Sequence, residues 1–461
     1  MADVNPQLQG DTHEDITPIN NSRSNKDASS ALEIDSKPKY ALEIRVSDPQ
    51  KKSGDHGTTG AYVSYQISTK TNNPSYHKSK GSNVSDSDNS KLMMERIIVV
   101  HRRYSDLLLL HEILANDHAT CIIPPLPDKK VFQYIAGDRF SQRFTQKRCR
   151  SLQNFLRRIA YHPILSQSNV LKMFLMSDDW ESYRKNIAGA LPSNKDEVTD
   201  AFMNAFKSVH IQNEAFVEIK DKNDKLDHTI TKLDKIFHKI VKKNDTISED
   251  YSKLGTNLQD LNELVSNNKN IGKDEVKNLD DKQLSQNLKI FTDGIIQLSY
   301  GLSDLNKYLD YEYLVDLKDL EHYIDSMRQL VKLKDQKQID YEELSEYLTK
   351  SVKTRDNLIS GYVGSNFFTN KIEEFTGINQ DSSRREKISK LENKINSLNI
   401  ELESAKKIAD AFEKETLKEV NLFEETKTQE LKGSLGSLAD HHIKFYEKML
   451  DTWTDIDSNL K

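Results

Sequence analysis

The chain is poor in the residues that staple or punctuate a fold. Only Cys121 and Cys149 occur in 461 residues. Two cysteines build neither a disulfide framework nor a zinc cluster, which points to a reducing compartment. Long apolar runs are also missing: the longest aliphatic stretches are Ile97–Val100 and Leu107–Leu110, far short of the ~20 residues that cross a bilayer. The first residues lack the apolar core of a secretory signal, so the expectation is a chain that meets any membrane from its aqueous side. There is no glycine-rich phosphate loop and no His-Glu-x-x-His. His442-x-Lys444 is similar to part of a phospholipase D motif, but Met449 stands where an aspartate is needed. Cys149 and His162 lack triad context. The reading is a protein that is not an enzyme, with no cofactor, metal or nucleic-acid partner.

What the chain does have is charge. Charged residues make up 30% against 36% hydrophobic, a balance that suits long exposed helices better than one large core. The net charge is −6, yet eleven Lys/Arg face five Asp/Glu between residues 101 and 163. A basic segment in an acidic chain points to a local anionic partner.

Residues 1–38 are polar, bury too little apolar surface to offset ordering entropy, and are read as disordered. Alternation at Tyr40, Leu42, Ile44 and Val46 predicts a strand, Ala61–Ser68 a second, and Glu95–His101 a third. A polar stretch from Asn72 to Lys91 reads as an insertion loop. Helical spacing follows from about Ser105, then the stiff Pro124-Pro125-Leu126-Pro127 segment, then a helix over about 139–160. This is an α+β pattern.

From Val198 to Val265, positions spaced alternately four and three apart are apolar at seventeen of twenty places, against about seven expected from composition; Gln212, Asn223 and Asn244 are the exceptions. A heptad seam this long predicts a coiled-coil helix. Two more follow, over about 280–360 and 382–457, with breaks at Gly272 and at Gly361 and Gly364. Three long helices folded together leave a seam over for a partner chain. Gly433 and Gly436 would permit a close approach or a bend. Lys232, Lys235, Lys239, Lys242 and Lys243 flank the first seam as either a lipid-facing row or a solvated flank. Asp196–Lys207, with Val198, Phe202, Ala205 and Phe206 on one face, fits either an amphipathic wedge or a segment packed in the bundle.

Three segments carry the chemistry. His101–Asp106 sits at a strand-to-helix junction, where helix amides and an arginine suit a phosphate. Pro124–Lys130 leads into Val131, Phe132, Tyr134 and Ile135, a stiff loop fit to touch headgroups and insert in an interface, or to pack inward. Arg143, Lys147, Arg148 and Arg150 open a helix, with 143 and 147 on one face and 148 beside them. Taken singly, the first also fits a solvated basic patch at a strand end, the second a proline-rich turn whose apolar residues pack inward, and the third an ordinary charged helix face.

Together these segments resemble the Phox-homology (PX) domain: Arg-Arg-Tyr-Ser-Asp, then Pro-Pro-Leu-Pro-x-Lys, then Arg148-x-x-x-Leu152-x-x-Phe155-Leu156. The resemblance implies binding of phosphatidylinositol 3-phosphate. It assigns the 3-phosphate to Arg103, a ring beside the inositol to Tyr104, the phosphate-facing turn to Ser105, the 1-phosphate to Lys129, and the remote ring hydroxyls to Arg148. A PX domain before three long helices resembles the PX-BAR sorting nexins, and Asp196–Phe206, Gln297–Leu309, Tyr311–Gln329 and Ser434–His442 resemble their autophagy-related branch. The implied fold is an α+β PX domain (a three-stranded sheet plus helices) followed by an all-α BAR domain of three long antiparallel coiled-coil helices, dimeric. The implied division is a tail over 1–38, PX over 39–180, a linker over 181–197 and BAR over 198–461. The implied function is endosome-to-Golgi retrieval and selective autophagy, including cytoplasm-to-vacuole transport and mitophagy. It would be exerted from the cytosol on early endosome and preautophagosomal membranes. Expected partners are a second sorting nexin or a second copy, with cargo and autophagy proteins. The other reading is a coiled-coil scaffold whose PX-like head mainly binds proteins.

Overall fold

A computed structural model of the chain describes residues 38, 40–53, 60–76, 97–127, 140–188, 209, 213–267, 275–360 and 380–460. Three strands, β1 (Leu42–Lys52), β2 (Tyr62–Thr71) and β3 (Ile98–Arg103), form an antiparallel sheet in sequence order. The register aligns Val46 with Ile67 and Ile67 with Val100. That apolar row is the buried side of the strand alternation, and all three side chains lie in the core. The β1–β2 ladder shifts between Ser47 and Gln50, where Asp48 takes a φ of 48°. Aspartate tolerates this left-handed region better than most residues.

Helices α1 (Tyr104–Asp117), α2 (Gln142–Tyr161), α3 (Asn169–Met176) and α4 (Trp180–Ala188) complete the first part. Leu107, Leu110 and Leu114 of α1 meet Leu152, Phe155, Leu156 and Ile159 of α2 over the sheet. Trp180 packs edge-on against Phe174 at 5.2 Å and lies 5.0 Å from Tyr183. The segment expected to be a linker from 181 therefore opens with helical turns packed on the head.

Among the described residues, the remainder is three long helices. They are α5 (Glu214–Asn267), a central rod of α6 (Glu275–Tyr308) and α7 (Leu314–Ile359) joined by a π-helical turn (Leu309–Tyr313), and α8 (Gln380–Leu460). At 1.5 Å per residue α8 runs about 120 Å. The helices are antiparallel. Ser248 and Ser299 exchange side-chain-to-backbone hydrogen bonds of 2.9 and 2.8 Å between α5 and α6. Tyr308 stacks on His441 of α8 at 3.6 Å, whereas Arg384 near the start of α8 bonds the carbonyls of Leu358 and Ile359. The expected breaks at Gly272, Gly361 and Gly364, and the Asp196–Lys207 segment, lie outside the described residues.

Burial on α5 departs from the strict heptad in one respect. Phe216, Asn223 and Ile230 are buried as expected, but beyond them Val241 and Ser248 take the buried places. Leu233, Ile240, Ile247, Leu254 and Leu261, seven apart, are 37–45% exposed. An α-helix drifts about 20° per heptad against a 3.5-residue repeat. The stripe that packs within this chain thus rotates away from the sequence seam, and the seam's aliphatics are left facing out.

The head sits on the bundle. Ile122, the first residue of the Ile-Ile-Pro-Pro segment, is buried in the same apolar cluster as Phe216, Tyr323, Phe412 and Phe423. One face of α2 meets carboxylates of the central rod and α8, whereas its opposite face belongs to the head core.

Candidate functional site

The β3–α1 junction opens on a cleft of about 140 Å³ lined by Ala61, Tyr62, Val63, Tyr65, Arg103, Tyr104, Ser105, Phe140 and Arg148. Arg103 ends the strand in extended conformation and its backbone N–H donates to the Asp106 carboxylate at 2.9 Å. Its guanidinium lies 3.5 Å from the same carboxylate and 5.8 Å from the centre of the Tyr62 ring. Asp106 thus holds both the helix start and the arginine. A helix start of this kind, with an arginine beside it, is suited to an anion. Ser105 is exposed at the rim.

Arg148 enters from α2. Its guanidinium lies 4.3 Å from the Tyr104 ring centre and 4.3 Å from that of Phe144, and it lines the cleft beside Tyr65. Burial lowers the Arg148 pKa from its ordinary value, and it remains a cation. Burial pushes the Tyr65 hydroxyl well up, so it stays a neutral phenol. The Tyr104 hydroxyl donates to the Pro127 carbonyl and ties the proline segment to the cleft.

Four of the sequence-derived site residues, Arg103, Tyr104, Ser105 and Arg148, therefore share one cleft. Lys129 and the apolar residues Val131, Phe132, Tyr134 and Ile135 lie outside the described residues. Sequence reasoning missed the aromatic wall of Tyr62, Tyr65 and Phe140. It also missed Lys51, whose ammonium sits 4.4 Å over the Phe140 ring. The β-strand alternation already singles out Tyr65 as an inward position. Arg102, in the same basic run, is structural: its guanidinium is buried and bonds the Phe174 and Ser177 carbonyls.

The basic helix start needs a correction. Arg143, Lys147 and Arg150 do not join Arg148. Arg143 and Lys147 bond Asp310 at 2.8 and 2.6 Å, and Arg150 makes a two-pronged contact with Asp316 at 2.9 and 2.7 Å. Adjacent helix residues point about 100° apart, so 147 grips the bundle while 148 faces the cleft.

Cys121, His162 and Glu419 are buried together with ligand-capable atoms within 4.8 Å of one another. They do not fit a metal. His162 Nδ1 accepts from the backbone N–H groups of Ile164 and Leu165, both at 3.2 Å, and Nε2 lies 3.1 Å from Glu419 Oε2. That network puts the imidazole proton on Nε2. Metal binding at Nε2 would force the proton onto Nδ1, against two donors. Glu419 instead accepts from His162 and from the Ile122 N–H at 2.8 Å. The Cys121 thiol is pushed up to about 12 by burial and then by Glu419.

A three-stranded sheet with a basic cleft at its strand-to-helix junction, followed by three long antiparallel helices, defines a PX head on a BAR-type bundle. The PX domain family matches residues 91–178. The structure of the SNX-BAR Mvp1 tetramer is similar, with a TM-score of 0.56 at 16% identity over 90% of this chain and 99% of that one. Sorting nexin-4 of Saccharomyces cerevisiae is 65% identical over 92% of this chain and 95% of its own length. Sorting nexin-4 of Candida glabrata is 60% identical over 92% and 93%. The chain belongs to the sorting nexin-4 family, which is not a family of enzymes. No helix among the described residues is long and apolar enough to cross a membrane.

Proposed function

We propose that this chain binds phosphatidylinositol 3-phosphate through the head and pairs through the bundle, so that it coats and curves endosomal membrane as a dimer. The observation that carries this reading is the convergence of Arg103, Tyr104, Ser105 and Arg148 on one cleft. Arg103 holds the 3-phosphate beside the first turn of α1. Tyr104 lies along the inositol, and Arg148 bonds the hydroxyls on its far side. Lys129 takes the 1-phosphate, and Val131, Phe132, Tyr134 and Ile135 enter the lipid interface. The exposed aliphatics of α5, with Ile443, Leu450 and Trp453 of α8, supply the apolar face for a second sorting nexin or a second copy.

The working division is a tail over 1–38, head over 39–180, linker over 181–197 and bundle over 198–461. The cellular role is retrieval from early endosomes to the Golgi and selective autophagy, including cytoplasm-to-vacuole transport and mitophagy. The chain acts from the cytosol on early endosome and preautophagosomal membranes, with cargo and autophagy proteins as further partners.

The test is flotation with phosphatidylcholine vesicles with and without phosphatidylinositol 3-phosphate. The wild-type chain floats only with the phosphoinositide, and Arg103→Ala abolishes flotation. Binding independent of the lipid, or untouched by Arg103→Ala, would instead favour a scaffold whose head binds proteins.

A further inference from the structure

The polar face of α2 has no place in headgroup binding, yet it is densely hydrogen-bonded between head and bundle. Lys147 and Asp310 are both buried, with side chains 7 and 8% exposed. Arg158 is buried against Glu430 of α8 at 2.8 Å. Between these two ends, Ser151 donates to Asp319 at 2.6 Å, and Asn154 bridges Asp316 and Asp319 at 2.9 and 2.8 Å.

Two features distinguish this from incidental surface pairing. Apolar contacts tolerate sliding, whereas buried charge-assisted hydrogen bonds weaken steeply with misalignment. An array along three turns of one helix sets both its position and its rotation. The second feature is the π turn. Asp310 lies within Leu309–Tyr313, the one π-helical segment among the described residues. Such a turn inserts a residue and re-aims side chains, and is common at functional positions. Here it presents Asp310 to two cations of α2 at once.

We infer that Asp310 is a positioning residue: by gripping Arg143 and Lys147 on the back of α2, it fixes the direction in which the Arg103–Arg148 cleft faces relative to the bundle. Arg148 is the next residue after Lys147, and Leu152, Phe155, Leu156 and Ile159 of the same helix are fixed in the head core, so seating Lys147 on Asp310 turns the cleft as one body with the head and leaves its internal geometry to that core. The inference rests on the proposed phosphoinositide reading. Its consequence is avidity. Head and paired bundle engage one membrane together only if the cleft faces the same surface as the bundle, and linked binding is lost when geometry forbids simultaneous contact.

The experiment compares full-length wild type, Asp310→Asn and Asp310→Glu by two measurements. One is calorimetric titration with soluble short-chain phosphatidylinositol 3-phosphate. The other is flotation with vesicles carrying the same lipid. Asp310→Asn should leave soluble headgroup affinity within about twofold and weaken vesicle binding about tenfold. Asp310→Glu, which keeps the charge, should recover most of the loss. The direction is diagnostic, because Asp310→Asn makes the chain less negative and bulk attraction to an anionic vesicle would then strengthen binding. Unchanged or stronger vesicle binding by Asp310→Asn overturns the inference, as does a parallel loss of soluble headgroup affinity. Should Asp310→Asn fail to fold, Asp316→Asn, which loosens the more exposed Arg150 pair, carries the same comparison and the same outcomes. If wild type itself fails to bind the soluble headgroup, the functional reading fails rather than the positioning role.

Discussion

Arg148 and Tyr104 face each other across the cleft with the guanidinium carbon 4.3 Å from the ring centre. Arginine stacks on aromatic faces through its plane, and lysine at the same place keeps only the charge. Arg148→Lys is therefore expected to lower headgroup affinity about tenfold, the loss of a stacked, forked donor. Calorimetric titration checks this, and affinity equal to wild type would mean that charge alone suffices.

The glycines of the bundle divide into two kinds. A Cβ on Gly294 would stand 2.3 Å from Ile456 Cδ1, whereas one on Gly433 or Gly436 meets nothing within 4 Å. Of the two roles open to 433 and 436, a close approach or a bend, the close approach within this chain is made instead by Gly255, Gly294 and Gly301. Alanine in a helix gains about 1 kcal/mol over glycine, but overpacking a filled site costs about 1–3 kcal/mol. Gly294→Ala should lower the thermal midpoint and Gly433→Ala should raise it. If Gly433→Ala lowers it in proportion to lost dimer, the partner chain is what approaches Gly433.

The exposed seam of α5 makes a prediction about assembly. Ile247→Glu with Leu254→Glu places charge on positions that are 45 and 43% exposed in the single chain. The fold of one chain has little to lose, while an apolar face that pairs would have to bury two carboxylates. The double variant should sediment as a monomer with unchanged helix content and unchanged affinity for soluble headgroup. The same prediction extends to Leu233→Glu. A variant that dimerises normally would mean that another face pairs.

Asp310 also carries a pH dependence. Burial by itself raises its carboxyl, but hydrogen bonds from Arg143 and Lys147 outweigh burial and hold it below the ordinary range. A depressed carboxylate contributes stability that is complete above its unfolded pKa, near 3.9, and is lost as pH falls through the folded value. Asp319 has the opposite sign, because burial, opposed by Arg158, leaves it raised. The Asp310 grip should survive from neutral pH to about 5 and loosen only below about 4. Energy transfer between one label on the head and one on the bundle measures it. Separation between pH 7 and 5 would contradict the assignment. Asp310→Ala, which leaves Lys147 buried without its partner, should cost about 3–5 kcal/mol.

Local pattern was enough to read the strands, because alternation at Ile44 and Val46 reports a half-buried sheet wherever it occurs. It was enough for the long helices as well, because a helix of a globular core rarely keeps a heptad seam over twenty positions. The cleft was legible where its residues stand close in sequence, as Arg103, Tyr104 and Ser105 do. The aromatic wall was not, because Tyr62, Tyr65 and Phe140 carry no signal that separates a cleft wall from ordinary core.

The long-range pairs were beyond any local reading. Arg143, Lys147 and Arg150 read as a basic face, and a basic face implies an anion without saying which one. The anions are Asp310 and Asp316, more than 160 residues away. Sequence periodicity by itself determined that α5 would carry an apolar stripe, since side-chain spacing along a helix is a property of the backbone. Only the tertiary structure decided which part of that stripe packs inside the chain and which part is left exposed, because helical drift and the neighbours' positions set that division. It likewise decided which cations of α2 grip the bundle and which one faces the cleft, since charge carries no direction until the fold supplies its partners.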